Sequence, residues 1–221
     1  MTIKSLAPLR SVSKSREVFL RLRDAIWSGE FQPGMALRES HLAKQLSVSQ
    51  VPVREALLQL EHLGLVVRVP DRGTTVTKLT RKEILQMMDV RRHLEEYAFS
   101  LAADKIDKGV EAELRRHLAQ MKELVAAKDH FGVAEEDFKF HQTVWRASGN
   151  EVLEKTLQRL CVAVYAFVSM RRHAVGDGLS TAVKSHTVLF QALMTRDPAK
   201  ILIAIRQHLA PEAVEPNLLE D

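Results

Sequence analysis

Asp137 and His141 stand four residues apart in a stretch of helical periodicity, so both fall on one face, together with Ala134, Val144 and Ser148. Two further histidines occupy apolar stripes of their own. His186 shares one with Leu189, Phe190 and Leu193, and His208 aligns with Ile201, Ala204 and Ile205. Three helices that each send an imidazole inward, joined by one carboxylate, can hold a divalent transition metal of the zinc, nickel or manganese type, with open positions for a carboxylate ligand. A plainer reading stands beside this one, because a histidine on an apolar face is more often a hydrogen-bonded core residue than a ligand. His41, His62, His93, His117, His130 and His173 are read that way or as surface residues. Nearer the N-terminus, the stripe Ile84, Met88, Arg91, Glu95, Ala98, Ala102 puts two opposite charges on an inner face. A buried charge needs a partner, so either Arg91 and Glu95 pair or Arg91 awaits an anionic effector.

A second set of residues suits a different chemistry. In the segment 40–64, SHLAKQLSVSQVPVREALLQLEHLG, one apolar stripe (Leu42, Ala43, Leu46) and then another (Val53, Ala56, Leu57, Leu60, Leu63) are separated by Ser47-Val48. That is a helix-turn-helix, with Ser49 at the N-cap of the second helix and Gly64 just past its end. Gln50, Val51, Pro52 and Arg54 are not needed for the stripe and are free to face a DNA groove, where the helix dipole favours phosphate and Arg54 can reach a phosphate or a guanine. The β-branched runs Leu65–Val69 and Thr74–Thr77 flank Pro70-Asp71-Arg72-Gly73, good turn chemistry for a hairpin that would serve as a wing. Arg72 and Gly73 at its tip suit a minor groove and a close approach to phosphate.

These residues resemble a known family. Gly29-Glu30-Phe31-Gln32-Pro33-Gly34, Leu42-Ala43, the run Val48 to Leu57, Leu60, Gly64-Leu65 and Gly73 look like the DNA-binding domain of GntR-family transcriptional regulators. This chain has Gln50 and Ser40 where the family often has basic residues, and Ser47 where it usually has glycine. Because Gln prefers adenine edges and Arg prefers guanine, the operator read here is expected to differ from the family's common one. The resemblance makes Ser40, Ser49, Gln50, Val51, Arg54, Arg72 and Gly73 the candidate DNA-binding residues.

Farther along, the segments Val90 to Glu95, Asp137 to His141, Ala147 to Asn150, then His186 and His208-Leu209 resemble the FCD ligand-binding domain of the FadR-type branch, in its six-helix variant. The resemblance implies that Asp137, His141, His186 and His208 bind a metal. It also implies that small organic acids bind nearby, with Arg91, Glu95 and Asn150 as candidate effector contacts. Repression relieved by such an effector is the commoner behaviour of the family.

The elements that must position these residues can be placed from pattern. A helix spans about Ser13 to Ser28, and Met35 to Arg38 is expected to add a short strand beside the wing. Thr80-Arg81-Lys82-Glu83 reads as a capping box, leaving Lys78-Leu79 as the linker. Beyond it only helical patterns occur, near 80–105, 109–128, 131–147, 151–172, 180–195 and 198–210. The expected fold is therefore mostly α. A winged helix-turn-helix domain (1–78) precedes an all-helical, metal- and effector-binding, dimerising bundle (79–221). Charge is divided along the same line, with 12 Lys+Arg against 7 Asp+Glu through residue 78 and 20 against 21 beyond it. A basic excess in the first part suits phosphate binding.

A single cysteine, Cys161, excludes an intramolecular disulfide and a cysteine-based zinc site. MTIKSLAPLR lacks the apolar core of a signal peptide, and the longest apolar run, Leu160 to Val168, is too short for a bilayer, so a cytoplasmic location without membrane attachment is expected. One winged domain reads few base pairs, so specificity for double-stranded operator DNA calls for a homodimer on a palindrome. An Asp-His-His-His centre could also activate water, but no separate general base stands beside it and an enzyme would leave the winged domain unexplained. An architectural DNA-binding protein whose metal only staples the bundle is the remaining alternative.

Overall fold

A computed structural model describes residues 14–69, 73–175 and 179–210, with the backbone alone for 171–175 and 180. The chain opens with α1 (Lys14–Trp27), β1 (Ala36–Leu37), α2 (Glu39–Gln45), α3 (Gln50–His62), β2 (Val66–Val69) and β3 (Gly73–Val76). The strands form an antiparallel sheet in the order β1-β3-β2, with Ala36 opposite Thr75 and Val66 opposite Val76. The apolar stripe of α3 explains its docking: Val53, Ala56, Leu57 and Leu60 are almost fully buried, in one core with Val18, Leu22 and Ile26 of α1. This is a winged helix-turn-helix.

The rest is helical: α4 (Arg81–Ala102), α5 (Lys108–Ala126), α6 (His130–Ala147), α7 (Glu151–Val175), α8 (Leu179–Thr195) and α9 (Pro198–His208). The Thr80–Glu83 capping box forms, with the Thr80 amide donating to Glu83 Oε2 at 2.8 Å. The helix expected to run to residue 105 ends at Ala102 and passes into a 3-10 turn, Ala103–Lys105. Asp107, Asp129 and Asp197 cap α5, α6 and α9 through their side chains. Phe99, Leu114, Met121, Phe140, Val144, Leu189, Leu193 and Ile205 fill the bundle core. The core of the winged domain does not stop at the linker. It continues through Phe138, Trp145, Leu157, Cys161, Tyr165 and Ala166 of α6 and α7.

Two turns show local constraint. Gly64 takes φ +72°, the left-handed conformation that ends α3. Ser47, in the turn between α2 and α3, takes φ +54° although it has a Cβ. That conformation costs a non-glycine residue about 1–2 kcal/mol. Ser47→Gly is therefore expected to raise unfolding stability by about 1 kcal/mol, less what glycine adds to the unfolded chain's entropy, read as the midpoint of a urea transition.

Candidate metal centre and nucleic-acid interface

Helices α6, α8 and α9 bring His141, His186 and His208 together. One ligand nitrogen from each lies within 4.8 Å of the others. The Nε2 atoms of His141 and His208 are 3.0 Å apart. Asp137 Oδ1 borders the group, 3.2 Å from His186 Nε2 and 3.7 Å from His141 Nε2. Asp137, His141 and His186 are buried, and His208 partly.

The outer ring nitrogens define the inner ones. His186 Nδ1 is 2.8 Å from the Ala182 carbonyl, which only accepts, so Nδ1 carries a proton. His141 Nδ1 donates in the same way to Glu95 Oε2 at 2.5 Å. In the neutral rings each Nε2 then presents a lone pair to the centre. His186 Nε2 has no hydrogen-bond partner among the described residues and faces a carboxylate oxygen. Lone pairs crowded against one another and against an anion repel unless a proton or a cation sits among them. At a metal–nitrogen distance of about 2.1 Å, neighbouring ligand atoms lie about 3.0 Å apart at a right angle and about 3.4 Å apart in a tetrahedron, close to the separations found here. The residues fit a divalent transition metal.

Protonation agrees with this. Burial lowers the pKa of His141 and, with the charges of His186 and His141 adding, takes that of His208 well below the ordinary imidazole range. Both rings favour the neutral form that ligates metal. Burial alone would raise Asp137, but the charge that His186, His141 and His208 carry when protonated outweighs it and holds the carboxylate well below its usual range.

The stripe on α4 supplies the next layer. Arg91 Nε donates to Glu95 Oε1 at 2.6 Å, so the two charges do pair with each other, and both are buried. Arg91 Nη2 also donates to the Tyr165 hydroxyl at 2.7 Å, and that hydroxyl donates to Asp137 Oδ1 at 2.5 Å. A continuous chain thus runs His141–Glu95–Arg91–Tyr165–Asp137. Burial tends to raise Glu95, yet His141 and Arg91 hold it at about 2. Tyr165 was not singled out from sequence. Its one signal was a hydroxyl-bearing ring inside the apolar run Leu160 to Val168.

Asn150 stands at the start of α7. Its side-chain Oδ1 accepts from the Leu153 amide at 3.1 Å and its own amide donates to Ser148 Oγ. It is the N-cap of α7, and none of its described bonds joins it to the histidine group. His117, expected in core or on the surface, is buried against Glu136 at 2.7 Å.

On the winged domain Ser40, Ser49, Gln50, Val51, Arg54 and Gly73 are all exposed. Val51, an apolar residue, is 61% exposed at the start of α3, available to a thymine methyl. Ser49 sits at the N-cap with extended backbone, but its side chain makes no capping bond, contrary to its sequence role. Arg54 Nε and Nη2 contact Glu39 Oε2 at 3.0 and 2.9 Å. Glu39, at the start of α2, was missed because it is fifteen residues away and acts only through Arg54. Gly73 takes φ +81°, and Arg72 lies outside the described residues.

A winged helix-turn-helix joined to a helical body with an interior polar site defines a DNA-binding regulator with a sensory domain. The FCD domain family matches residues 86–211, and "Bacterial regulatory proteins, gntR family" matches residues 14–76. The chain is 33% identical over 185 residues to the "Probable D-xylose utilization operon transcriptional repressor" of Paenarthrobacter nicotinovorans, covering 84% of this chain and 80% of that protein. It is 29% identical over 211 residues to the gluconate operon transcriptional repressor of Bacillus subtilis (strain 168), covering 92% and 86%. The solved structure of E. coli McbR/YncC shares the fold, with a TM-score of 0.80, 22% identity and coverage of 91% and 96%. The chain belongs to the GntR family of transcriptional regulators, in the FadR-type branch that carries an FCD domain. Its family and relatives are regulators, not enzymes. No helix of the described residues is long and apolar enough to cross a membrane.

Glu95→Gln removes the charge that Arg91 and His141 both use. In chelator-treated protein at pH 7 it is expected to cost about 3–5 kcal/mol of unfolding stability, as for a broken buried ion pair. Because the folded pKa, about 2, lies below the ordinary 4.5, the wild-type advantage is full above pH 4.5 and shrinks as pH falls toward 2. Denaturant titrations across that range measure both effects.

Proposed function

We propose that the protein is a transcriptional repressor that binds palindromic operator DNA as a homodimer, its affinity set by a small carboxylate held beside a divalent metal. The observation that carries this reading is the convergence of the His141, His186 and His208 nitrogens, two of the rings locked from outside, within one hydrogen-bonded chain of Arg91. Asp137, His141, His186 and His208 would hold the metal, with zinc, nickel and manganese as candidates. When bound, the metal would offer open positions to an anionic oxygen. Arg91 adds a fixed positive charge; its described bonds use Nε and Nη2 of a group with five N–H donors. Glu95 keeps Arg91 and His141 in place. A relative named as a gluconate operon repressor accords with a carboxylate effector.

On the DNA side Ser49, Gln50 and Val51 would read base edges, Arg54 a phosphate or guanine, and Ser40, Arg72 and Gly73 the backbone and minor groove. An effector changes operator affinity only by as much as its own affinity differs between the two arrangements of the winged domains.

Selection of operators from random DNA, with and without a panel of small carboxylates, tests this reading. Arg54→Ala is expected to cost about 1–3 kcal/mol of binding or relax one position, and Gln50→Arg to move preference toward guanine. Unchanged selected sequences in both variants would remove the assignment of α3 as the reading helix. His186→Ala should lower zinc affinity by at least about tenfold while the helical circular-dichroism signal is kept. Full zinc retention, measured by calorimetry, would count against the centre.

A further inference from the structure

Trp27 is the last residue of α1, in the winged domain, and it is 8% exposed. Its ring lies parallel to that of Tyr165, with an interplanar angle of 3° and centroids 6.4 Å apart, and meets the Phe138 ring edge-on at 5.7 Å. Phe138 in turn packs edge-on against Tyr165 at 5.2 Å. These contacts join the two halves of the molecule at the interior site itself. Phe138 follows Asp137 directly on α6, and the Tyr165 hydroxyl bridges Arg91 and Asp137. Tyr165 is buried, so its hydroxyl has no water to turn to if either partner moves. Close-packed rings pass such a displacement to their neighbours. Just past Trp27, a Cβ added at Gly29 would stand 3.4 Å from Met170 of α7 and 3.8 Å from Phe131 of α6, so the end of α1 rests on the same two helices.

We propose that Tyr165 is a positioning residue through which the state of the Asp137–Arg91 site sets the seat of α1, with Trp27 as the receiving contact. This rests on the reading of that site as the sensory one, and it names a route distinct from the Lys78-Leu79 linker. Tyr165 does not touch DNA. It acts by holding Trp27 at one face and the two charged side chains at its hydroxyl.

A double-mutant cycle in metal-free protein tests it without dependence on any ligand. Operator affinity is measured for Asp137→Asn, Trp27→Phe and the pair, first with Tyr165 present and then with Tyr165→Phe, which keeps the ring and removes the hydroxyl. The two substitutions are expected to be non-additive by about threefold or more with Tyr165, and additive with Tyr165→Phe. Should Asp137→Asn fail to fold, Arg91→Lys, which perturbs the hydroxyl's other partner, takes its place. A second readout uses Trp145→Phe, which leaves Trp27 as the sole tryptophan of the two in the chain. In that background, Asp137→Asn or Arg91→Lys should shift Trp27 emission, and Tyr165→Phe should abolish the shift. Additivity in both cycles, or an emission shift that persists in Tyr165→Phe, overturns the proposal. Loss of the metal reading through His186→Ala would leave these results in force, so the two failures are distinguishable.

Discussion

A guanidinium and two carboxylates taken out of water inside a helical body set the terms for everything around them. Arg91, Glu95 and Asp137 are each at least nine-tenths buried. Such charges are tolerated only when each has geometrically good partners, and here Glu95 has His141 and Arg91, while Asp137 has Tyr165 and lies beside the histidine group. The arrangement ties α4, α6 and α7 to one another with directional bonds rather than apolar contact alone. It also brings nitrogens of His141, His186 and His208 together beside an Asp137 oxygen, a donor set that fits a divalent cation.

The winged domain is not a separate bead. Its core merges with α6 and α7 through Trp27, Phe138 and Tyr165, and Gly64 lies 3.8 Å, measured to an added Cβ, from Ala163 of α7. A small residue at 163 admits the end of α3 close to the bundle. Packing of this kind is either in register or broken, which suits a regulator whose two halves must answer to each other. At the far side, Glu39 presents Arg54 at the exposed start of α3, an exposed pair worth little to stability but useful for aiming a flexible side chain.

Much of the fold was legible in the chain. The capping box at Thr80, the turn at Gly64 and the stripe of α3 are local patterns whose physics operates within a few residues, and all of them form. The same locality placed His141 beside Asp137. Pattern alone did not show that the Asn150 side chain caps α7, accepting from the Leu153 amide.

By itself, then, the sequence determined which helices exist, which faces they bury and which imidazoles turn inward, because periods of 3.6 residues and end-capping are read over short spans. Only the tertiary structure decided that Tyr165 closes the chain from Arg91 to Asp137, that Glu39 holds Arg54, and that Trp27 lies on Tyr165. Those partners are separated by 15 to 74 positions for the hydrogen-bonded pairs and farther still for Trp27. No local period relates residues so distant. They meet because the helices pack in one particular arrangement, and that arrangement follows from the sum of all their buried faces rather than from any one of them.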